Sequence, residues 1–231
     1  MTKNKVVGAL CFLLIFLVSA CAPLPSPAKN SAAVKINGYI DNGTYLSPEK
    51  LFRVDVPEMR NPFIKRPTTI WDESTPHGGV EVNFAVTDLG EAHCYGVRQL
   101  SGAENMDVMF NEELSRWARK WVDRLGEIEL ISEEKIQLAD GAGFARIYLV
   151  ESASLLFVRR GEGTAKREPA LVGVVIVPLV EKRLALYLVS QFDMPNRGGH
   201  FTLETKKGRK YLSEEQINRM RQLAESFRLQ R

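Results

Sequence analysis

The sequence lacks an apolar stretch long enough to cross a membrane, and it has little cysteine or histidine. Its longest apolar stretch runs from Val6 to Val18, about thirteen residues, whereas a bilayer-spanning helix needs about 20. The three histidines do not show the His-x-x-x-His spacing of zinc sites, so no metal site is predicted. No serine lies in a Gly-x-Ser-x-Gly setting, and therefore no catalytic residue is assigned.

Residues 1–20 have the organisation of an export signal. Lys3 and Lys5 form a positively charged start, and Val6–Val18 has the length of an apolar signal region. A signal of this kind directs the chain out of the cytoplasm and is then removed. An ordinary secretory signal cut near Ala22 and an uncleaved membrane anchor are alternatives that this pattern leaves open.

The end of that stretch, Val18-Ser19-Ala20-Cys21, resembles the lipobox of bacterial lipoproteins. The resemblance implies that cleavage occurs before Cys21, that its thiol carries a lipid and that its new amine is then acylated. Two or more acyl chains anchor a protein stably, whereas one chain gives only marginal binding. Ala22 stands where an aspartate often marks inner-membrane retention in such lipoproteins. The resemblance therefore implies the outer membrane, with the domain facing the periplasm; the inner membrane and the cell surface are the alternatives.

The charge balance limits the kinds of partner that the protein can bind, and the cysteine content limits how the domain can be stabilised. The chain carries 31 basic and 28 acidic residues, and removal of Lys3 and Lys5 with the signal leaves 29 against 28. This balance argues against general nucleic-acid binding, which requires many cations facing phosphates. Cys11 leaves with the signal and Cys21 is lipidated, so Cys94 remains alone and no disulfide is predicted within the domain. The domain must therefore be stabilised by an apolar core.

Proline content divides the mature chain into two parts. Residues 21–43 continue after the cysteine with Ala-Pro-Leu-Pro-Ser-Pro and show little periodicity, so we predict a lipidated cysteine followed by a flexible tether. Residues 44–231 have the periodicity of a folded chain and are predicted to form a single globular domain. Residues 1–20 are the predicted signal peptide.

The first half of the domain predicts strands followed by a helix. Leu51–Val56 alternates apolar and polar residues as a half-buried strand does, and Val80–Val86 repeats the alternation. Ala92–Leu100 is predicted to return antiparallel to the second of these strands. Asp107–Leu125 is predicted to be a helix ended by Gly126, because apolar side chains recur at three- and four-residue spacing. This predicted buried stripe consists of Phe110, Leu114, Trp117, Trp121 and Leu125.

The second half of the domain is richer in strand. Leu171–Val177 is apolar on both faces, which is typical of a central strand covered on both sides. A second helix is predicted to begin at Ser213, with Gln216 three residues on as in a capping box. Its predicted buried stripe is Ile217, Met220, Ala224 and Phe227. The predicted strands are Ile128–Leu138, Gly143–Val150, Ser154–Arg159, Leu171–Val177 and Leu184–Phe192, the last two joined as a hairpin by Glu181-Lys182-Arg183.

The order of strands, helix, strands and helix predicts an α+β fold with a mostly antiparallel sheet flanked by helices. Four segments carry a more specific likeness: 51–57 (Leu-Phe-Arg-Val-Asp-Val-Pro), 117–125, 143–148 (Gly-Phe-Ala-Arg-Ile-Tyr) and 225–229 (Glu-Ser-Phe-Arg-Leu). Over residues 44–229 this order resembles the PsbP-like superfamily, named for an extrinsic protein of photosystem II. The resemblance implies an α/β/α sandwich, and members of that superfamily are chiefly assembly or binding factors. A half-barrel wrapping a helix is the alternative architecture.

Candidate chemical groups are few. His93 and Cys94 are adjacent, and neighbouring side chains of a strand point to opposite faces, so they are not predicted to act together. Glu91 and His93 share a face, where His77 or His200 could join them. Cys94 is interpreted as a buried small hydrophobe rather than a nucleophile.

Basic residues gather in two predicted loops. The simplest interpretation is a solvated surface, and the functional hypothesis is contact with anionic head groups, a cell-wall polymer or an acidic partner protein. Arg159, Arg160, Lys206 and Lys207 are the residues predicted to make this contact. The two groups are Arg159, Arg160, Lys166 and Arg167 in one loop, and Lys206, Lys207, Arg209 and Lys210 in the other.

The sequence thus predicts a membrane-anchored envelope lipoprotein that acts as a non-enzymatic binding or assembly factor. No cofactor, metal or nucleic-acid partner is predicted. The predicted partners are the membrane, through the lipid on Cys21, and an envelope protein or anionic polymer. An envelope hydrolase with an unrecognised site is the alternative function.

Overall fold

The structure, a computed structural model, describes most of the chain from Ala33 onward. The described residues are 33–57, 69–86, 91–102, 105–121, 126–153, 168–192 and 206–230. The helices in these ranges are α1 (Met106–Trp121) and α2 (Lys206–Glu225). The strands are β1 (Ala33–Lys35), β2 (Tyr39–Asp41), β3 (Thr44–Leu46), β4 (Phe52–Asp55), β5 (Thr69–Ser74), β6 (Val80–Val86), β7 (Glu91–Gln99), β8 (Ile128–Leu138), β9 (Gly141–Ala153), β10 (Glu168–Leu179), β11 (Leu184–Phe192) and β12 (Arg228–Leu229).

The strands form two open sheets. Within the described chain the main sheet has eight strands in the order β1-β5-β6-β7-β11-β10-β9-β8, and a smaller sheet has four in the order β12-β4-β3-β2. Every neighbouring pair is antiparallel except β1 and β5, which run parallel. The predicted α+β fold with a mostly antiparallel sheet is confirmed. The half-barrel alternative is not adopted.

The two helices cover opposite faces of the main sheet. On one face Phe110, Leu114 and Trp117 of α1 form an apolar core with residues of β10 and β11, so Trp117 is the core residue that its spacing predicted. On the other face Met220 of α2 belongs to a second core, which also contains Phe52 of the small sheet. The layers are therefore α1, the main sheet, and then α2 together with the small sheet.

β10 shows how the main sheet is covered on both sides. Its apolar side chains alternate between the two cores, which confirms the central strand predicted from Leu171–Val177. Gly173 lies beneath α2, and a Cβ there would lie 2.7 Å from Sδ of Met220, so the missing side chain lets the helix approach the sheet. The residues facing α1 are Val172, Val174 and Ile176, and those facing α2 are Leu171, Val175 and Val177.

A single row of paired residues crosses the main sheet from edge to edge. The row crosses β10 at Val172 and β11 at Gln191. The turn that joins these two strands, at Val180–Lys182, lies at their opposite ends, away from the row. The row joins the beginning of the described chain to the beginning of β8. In order it contains Ala33, Thr69, Ala85, Ala92, Gln191, Val172, Tyr148 and Leu130.

The tether predicted over residues 21–43 is too long. β1 and β2 lie within it, so the folded domain includes residues 33–43 rather than starting at Thr44. The Asp72 carboxylate accepts backbone N–H hydrogen bonds from Asn37 and Gly38, each at 2.8 Å, and the Tyr45 hydroxyl donates to it at 2.6 Å. These partners come from distant parts of the chain, and local periodicity cannot reveal them.

The predicted start of α2 at Ser213 is also wrong, because the helix begins at Lys206. Leu212 is buried in the same core as Met220 and extends the apolar stripe by about one and a half turns toward the N-terminus. Ser213 lies inside the helix, where its hydroxyl donates to the carbonyl of Lys210 at 2.9 Å. The predicted buried stripe itself is confirmed, since Ile217, Met220, Ala224 and Phe227 are all buried.

The other predicted elements are present where the structure describes them, whereas β3, β5 and β12 were not predicted. Ile128–Leu138 and Leu184–Phe192 have the predicted bounds, and α1 ends at Trp121, before residues 122–125, which lie outside the described chain. The predicted strand Ser154–Arg159 and the predicted signal with Cys21 also lie outside it. In the described ranges neither helix is long and apolar enough to span a membrane.

Candidate functional site

A buried network of charged and polar side chains joins α1 to the main sheet. At its centre is Glu81 of β6, whose side chain is 1% exposed. Tyr187 donates its hydroxyl hydrogen to Oε2 of Glu81 at 2.8 Å, and the amide of Asn83 donates to Oε1 at 3.2 Å. From α1, Nη2 of Arg116 lies 3.1 Å from Oε2 of Glu81, and Lys120 pairs with the same carboxylate. We call these five residues the Glu81 network.

The Glu81 network continues along α1 toward the turn between β5 and β6. Arg116 also pairs with Glu113, the preceding turn of the helix. Nη1 of Arg98 donates to Glu113 at 3.1 Å and to Glu112 at 2.7 Å, and Nε2 of His77 lies 3.7 Å from Oε2 of Glu112. α1 is thus held to the sheet by a chain of ion pairs in addition to its apolar stripe.

Burial dominates the electrostatics of this network. Burial raises the pKa of Glu113 despite the neighbouring Arg116, and burial lowers the pKa of Lys120 despite its pairing with Glu73. Burial likewise raises the pKa of Tyr187 well above its usual value, so the phenol stays protonated and donates to Glu81. The network serves to position α1, and its groups face one another rather than an open cleft.

A smaller polar cluster lies on the opposite face of the sheet, beneath α2. His93 of β7 and Ser190 of β11 are directly paired in register, and Oγ of Ser190 is hydrogen-bonded to Nδ1 of His93. Nε2 of His93 lies 3.2 Å from Oε1 of Glu91, which in turn accepts from Nη2 of Arg219 on α2. We call these four residues the His93 cluster. The prediction that Glu91 and His93 share a face is confirmed.

The His93 cluster has the donor order of a serine hydrolase triad. A neutral imidazole protonated on Nε2 donates to Glu91 and accepts the Ser190 hydroxyl hydrogen at Nδ1. Burial lowers the pKa of His93 more strongly than the Glu91 carboxylate raises it, which favours this neutral form. However, Ser190 and His93 are each 0% exposed, so in this conformation no substrate reaches the hydroxyl.

A surface groove approaches the His93 cluster from the side of α2. The groove has a volume of about 450 Å³ and shares Arg219 with the cluster. Its wall also includes Tyr95, two residues beyond His93 on the same face of β7, whose hydroxyl is buried without a hydrogen-bond partner among the described residues. The other lining residues are Asp55, Val56, Pro57, Gln222, Leu223 and Ser226.

The remaining residues singled out from the sequence do not join these groups. His77 lies on the α1 side of the sheet beside Glu112, so it does not approach His93, and His200 lies outside the described residues. Cys94 is buried and points to the α1 side, which confirms both its role as a small hydrophobe and its separation from His93. Burial raises the pKa of the Cys94 thiol, so it is unreactive at neutral pH.

The surface where α2 begins combines cations with exposed apolar groups. Arg209 and Lys210 of α2 and Leu130 of β8 line a groove of about 580 Å³ between the two elements, and Tyr211 follows Lys210 on the helix. Lys210 is 79% exposed, Leu130 49% and Tyr211 46%. Nη1 of Arg209 lies 2.8 Å from Oε2 of Glu129 at the rim. We call Leu130, Arg209, Lys210 and Tyr211 the basic surface.

Two of the predicted contact residues lie beside the basic surface in the chain. Lys206 and Lys207 belong to the first turn of α2 and not to a loop, which corrects the prediction. This first turn contains no acidic residue, but Arg209 pairs with Glu129 at 2.8 Å and Lys210 with Glu214 at 3.9 Å, so each of these two cations has a carboxylate beside it. Arg159 and Arg160 lie outside the described residues.

The turn between β10 and β11 offers a second exposed surface at the far end of these strands. A groove of about 490 Å³ there is lined partly by Met106, Met109 and Pro178. Val180 is 73% exposed at the turn, next to Glu181 and Lys182. This surface combines apolar side chains with two basic residues, Lys182 and Arg183, and one acidic residue, Glu181.

In the described parts of the chain no three His, Cys, Asp or Glu side chains are arranged to hold a metal ion. Glu91 and His93 are the acid and imidazole that lie closest to such an arrangement, and they bind Ser190 and Arg219 instead. The chemistry that these residues offer is therefore hydrogen bonding and proton exchange.

No protein-family model matches the chain, and no curated protein matches it in sequence. Among solved structures, similar ones include the Ran-binding protein Mog1p of Saccharomyces cerevisiae, at 11% identity and a TM-score of 0.43, covering 83% of this chain and 96% of that one. Cyanobacterial PsbP (CyanoP) from Synechocystis sp. PCC 6803 is similar at 10% identity and a TM-score of 0.43, covering 90% and 100%. Likeness at this level carries no conclusion about this chain.

Sequence reasoning missed the Glu81 network and the place of Ser190. Glu81 and Asn83 alternate with apolar residues in β6, which is typical of a strand with one solvated face, but α1 covers that face. A signal was present on α1, where Glu113, Arg116 and Lys120 recur at the spacing of one helical face. Ser190 meets His93 only through the pairing of β7 with β11, and no local signal marks it.

Proposed function

We propose that the protein is an envelope lipoprotein, anchored by lipid on Cys21, that acts as a binding or assembly factor and not as an enzyme. The observation that carries this proposal is the basic surface, where cations and apolar side chains are exposed together beside a groove. The buried polar groups described above are turned toward one another, so a partner meets the outer surface first. The lipobox Val18-Ser19-Ala20-Cys21 supports the anchoring part of the proposal.

The proposed location is the outer membrane, with the domain in the periplasm. It follows from Ala22 after the lipidated cysteine, and the inner membrane or cell surface are the alternatives. A lipid anchor keeps the domain at a membrane surface, where a local group of cations finds anionic components at high effective concentration. The function that fits this place is capture or positioning of an anionic envelope component.

The proposed contact residues are Arg159, Arg160, Lys206 and Lys207, and the proposed partner is an envelope protein or an anionic polymer. Lys206 and Lys207 precede the basic surface on the same helix, so their charge adds to that of Arg209 and Lys210. Exposed charges act over about one Debye length, so contact of this kind weakens as salt rises.

Anchoring is tested by Cys21→Ser. The variant is expected to leave the membrane fraction or to fail in maturation, whereas Cys94→Ser, a matched cysteine change, stays with the membrane. Intact mass spectrometry of the membrane-extracted protein is expected to show a chain that begins at a lipidated Cys21. An unmodified mass that begins at Ala22 or later would contradict the anchor.

Partner contact is tested by changing Arg159, Arg160, Lys206 and Lys207 together to glutamate. Capture of the anionic partner from detergent-solubilised membranes is expected to be lost, with an unchanged far-ultraviolet circular dichroism spectrum. Retained capture would remove these residues from the contact. A control with the same charge change elsewhere replaces the exposed residues Lys50, Arg53, Arg119 and Lys182 by glutamate, and it is expected to capture normally.

A second candidate function is hydrolysis, and the His93 cluster is the observation that favours it. Movement of α2 would be required to expose Ser190, because Arg219 of that helix closes the cluster. A fluorophosphonate probe tests this directly, since it labels only an activated serine. Labelling that disappears in Ser190→Ala would establish the hydrolase; absence of labelling at both neutral and alkaline pH excludes it.

A further inference from the structure

We infer that the groove beside the β10–β11 turn binds a free single-chain amphiphile with an anionic head group, of the chemical class of a medium-chain fatty acid. Two observations carry the inference: the floor of the groove is apolar, and a cation that pairs with no described carboxylate stands at its rim. The inference goes beyond the proposed function, because it requires neither the lipid on Cys21 nor the basic residues proposed to contact a partner.

The floor of this groove consists of apolar side chains that continue into the core beneath α1. Met109 is 1% exposed and belongs to that core, and Leu100 and Met106 pack against it. Pro178 and Val180 extend the apolar wall to the turn. Methionine side chains adapt to the shape of a ligand, because they are unbranched and flexible. The two other grooves described above are lined mostly by polar side chains, so an alkyl chain fits this groove best.

Arg183 is the charged group of the groove wall. Its side chain is exposed, and it forms no ion pair with any carboxylate in the described part of the chain. Glu181 lies in the same turn but does not line the groove, and Lys182 offsets its charge. Asp107, on the first turn of α1, pairs with Arg146 at 2.6 Å. The positive charge at the rim is therefore available to an anionic head group.

Backbone hydrogen bonds hold Arg183 in place at the rim. Its N–H donates to the carbonyl of Val180 at 3.0 Å, and its own carbonyl accepts from the N–H of Leu100 at 2.8 Å. Arg183 also has a φ of 51°, a left-handed conformation that glycine adopts more readily than arginine. The turn that carries the guanidinium is thus tied to Leu100, which is itself part of the floor. A head group bound at Arg183 leaves its alkyl chain over the apolar side chains.

An alkyl chain suits this groove better than an extended polypeptide. β10 pairs with β9 and β11, and β11 pairs with β10 and β7, so neither strand offers a free edge to a peptide. The N–H and C=O groups of a peptide laid on the apolar floor would therefore lack partners, which is costly. An alkyl chain has no such groups, and each methylene that it buries strengthens binding by up to about fourfold. The groove volume of about 490 Å³ is typical of small-molecule sites.

The experiment titrates decanoate, kept below its micelle concentration, into the unlipidated chain from Ala22 onward. Ala32–Arg231 forms one compact unit that contains both cores, so this chain retains the whole folded domain and needs no detergent. Methionine methyl groups labelled with carbon-13 report binding by nuclear magnetic resonance. Met106 and Met109 lie in the groove, and Met220, buried in the core beneath α2, is the internal control.

The expected result is a saturable shift of the Met106 and Met109 signals without a shift at Met220. Octanoate should bind more weakly than decanoate, by up to about fourfold for each missing methylene, and decyltrimethylammonium should bind least. Arg183→Gln should weaken decanoate binding about fivefold and leave decanol binding unchanged, because decanol has no charge to pair with the guanidinium. The matched change Lys182→Gln should alter neither affinity by more than about twofold.

Several outcomes would overturn the inference. Equal shifts at Met109 and Met220 would mean that decanoate disturbs the fold as a whole, and decanoate binding that ignores Arg183→Gln would remove the cation from the site. No shift at millimolar decanoate would leave the groove without this ligand. A capped acidic peptide with leucine side chains that shifts Met106 and Met109 at lower concentration than decanoate would assign the groove to a polypeptide. Shifts that appear when the protein concentration alone is raised would assign it to a second copy of the chain.

Failure of this inference is distinguishable from failure of the proposed function. The titration uses a chain without lipid and leaves the proposed contact residues unchanged, so it does not test the anchor or the partner contact. Loss of partner capture in the glutamate variant, in turn, would leave the decanoate titration of the parent chain as it is.

Discussion

The two faces of the main sheet bury polar groups in different ways. Under α1, Glu81 is shared by two cations, Arg116 and Lys120, and by two neutral donors. Under α2, His93 stands between a hydroxyl and Glu91, and the single cation Arg219 closes the chain. On the α1 face, several donors therefore share one carboxylate. On the α2 face, the groups form a linear chain of hydrogen bonds.

This difference determines how each face responds to change. Buried ions are costly when a partner is removed, and loss of the central carboxylate leaves Arg116 paired with Glu113 and Lys120 with Glu73. The His93 cluster contains only one ion pair, and Arg219 also lines a groove that water can enter. The α1 face should therefore be the more sensitive to mutation, and the α2 face the more sensitive to mildly acidic pH, because its central group is an imidazole.

The largest effect is expected from Glu81→Gln. Removal of this charge leaves Arg116 and Lys120 with too few buried partners, and we expect the free energy of unfolding to fall by about 3 kcal/mol. Urea denaturation monitored by tryptophan fluorescence measures the change.

The matched substitution on the other face is Glu91→Gln. It removes the partner of one cation, Arg219, beside a groove, and about 1–2 kcal/mol is expected because water replaces part of the lost interaction. Equal losses for Glu81→Gln and Glu91→Gln would show that the two faces do not differ in the way proposed.

The sequence predicted the layers better than it predicted these clusters. Periodicity gave the stripe of α1 and the doubly covered β10, because apolar spacing reflects burial directly. Glu81 obeys the same alternation but belongs to a buried polar face, and alternation cannot distinguish a face covered by water from one covered by charged helix residues. Prediction of the Glu81 network requires the knowledge that α1 covers this face of the main sheet.

The His93 cluster was half predictable. Glu91 and His93 share a face because they are two residues apart in a strand, which is a local rule. Strand pairing brings Ser190 next to His93, and helix packing brings Arg219 next to Glu91. The sequence near Ser190 and Arg219 contains no signal that predicts these contacts. The start of α2 was misplaced for a related reason: Leu212 is buried by a distant core, which outweighs the capping signal at Ser213.

Two glycines, Gly96 and Gly173, each admit a close neighbour, on opposite faces of the main sheet. A Cβ at Gly96 would collide with the Tyr187 hydroxyl, which is held by Glu81, so Gly96→Ala is expected to cost about 2–3 kcal/mol. A Cβ at Gly173 meets only the flexible end of Met220, so Gly173→Ala is expected to cost about 1 kcal/mol. Thermal unfolding of both variants tests the order. A reversed order would mean that Tyr187 moves more freely than its hydrogen bond implies.

A smaller effect should appear on acidification. Burial lowers the pKa of His93 in the folded protein, so below its unfolded pKa of about 6.5 the unfolded chain takes up a proton that the folded chain does not. Stability is therefore lost as pH falls from about 7.5 to 5.5, by up to about 1.4 kcal/mol per pH unit for one proton. Glu113 acts in the opposite sense, since its raised pKa lets the folded chain keep a proton that the unfolded chain releases, and its contribution to stability therefore rises as pH falls.

His93→Gln provides the test of that pH dependence. Glutamine can accept from Ser190 and donate to Glu91, and it does not titrate. The variant should show a smaller change in the free energy of unfolding with pH than the parent, measured by urea denaturation at several pH values. An identical slope would mean that His93 is protonated in the folded protein, and the pairing with Glu91 would then be ionic.

The last prediction concerns Cys94, which reports on the α1 face without disturbing it. Its thiol is buried and its pKa is raised by burial, so alkylation requires the structure to open. In Glu81→Gln the labelling rate should rise roughly a hundredfold, the equivalent of about 3 kcal/mol. In Glu91→Gln it should rise far less if the α1 face opens independently of the α2 face. If the labelling rate of Cys94 rises in each variant in proportion to its loss of stability, the two faces open together as one cooperative unit. The two faces would then differ in how much each contributes to stability and not in the order in which they unfold.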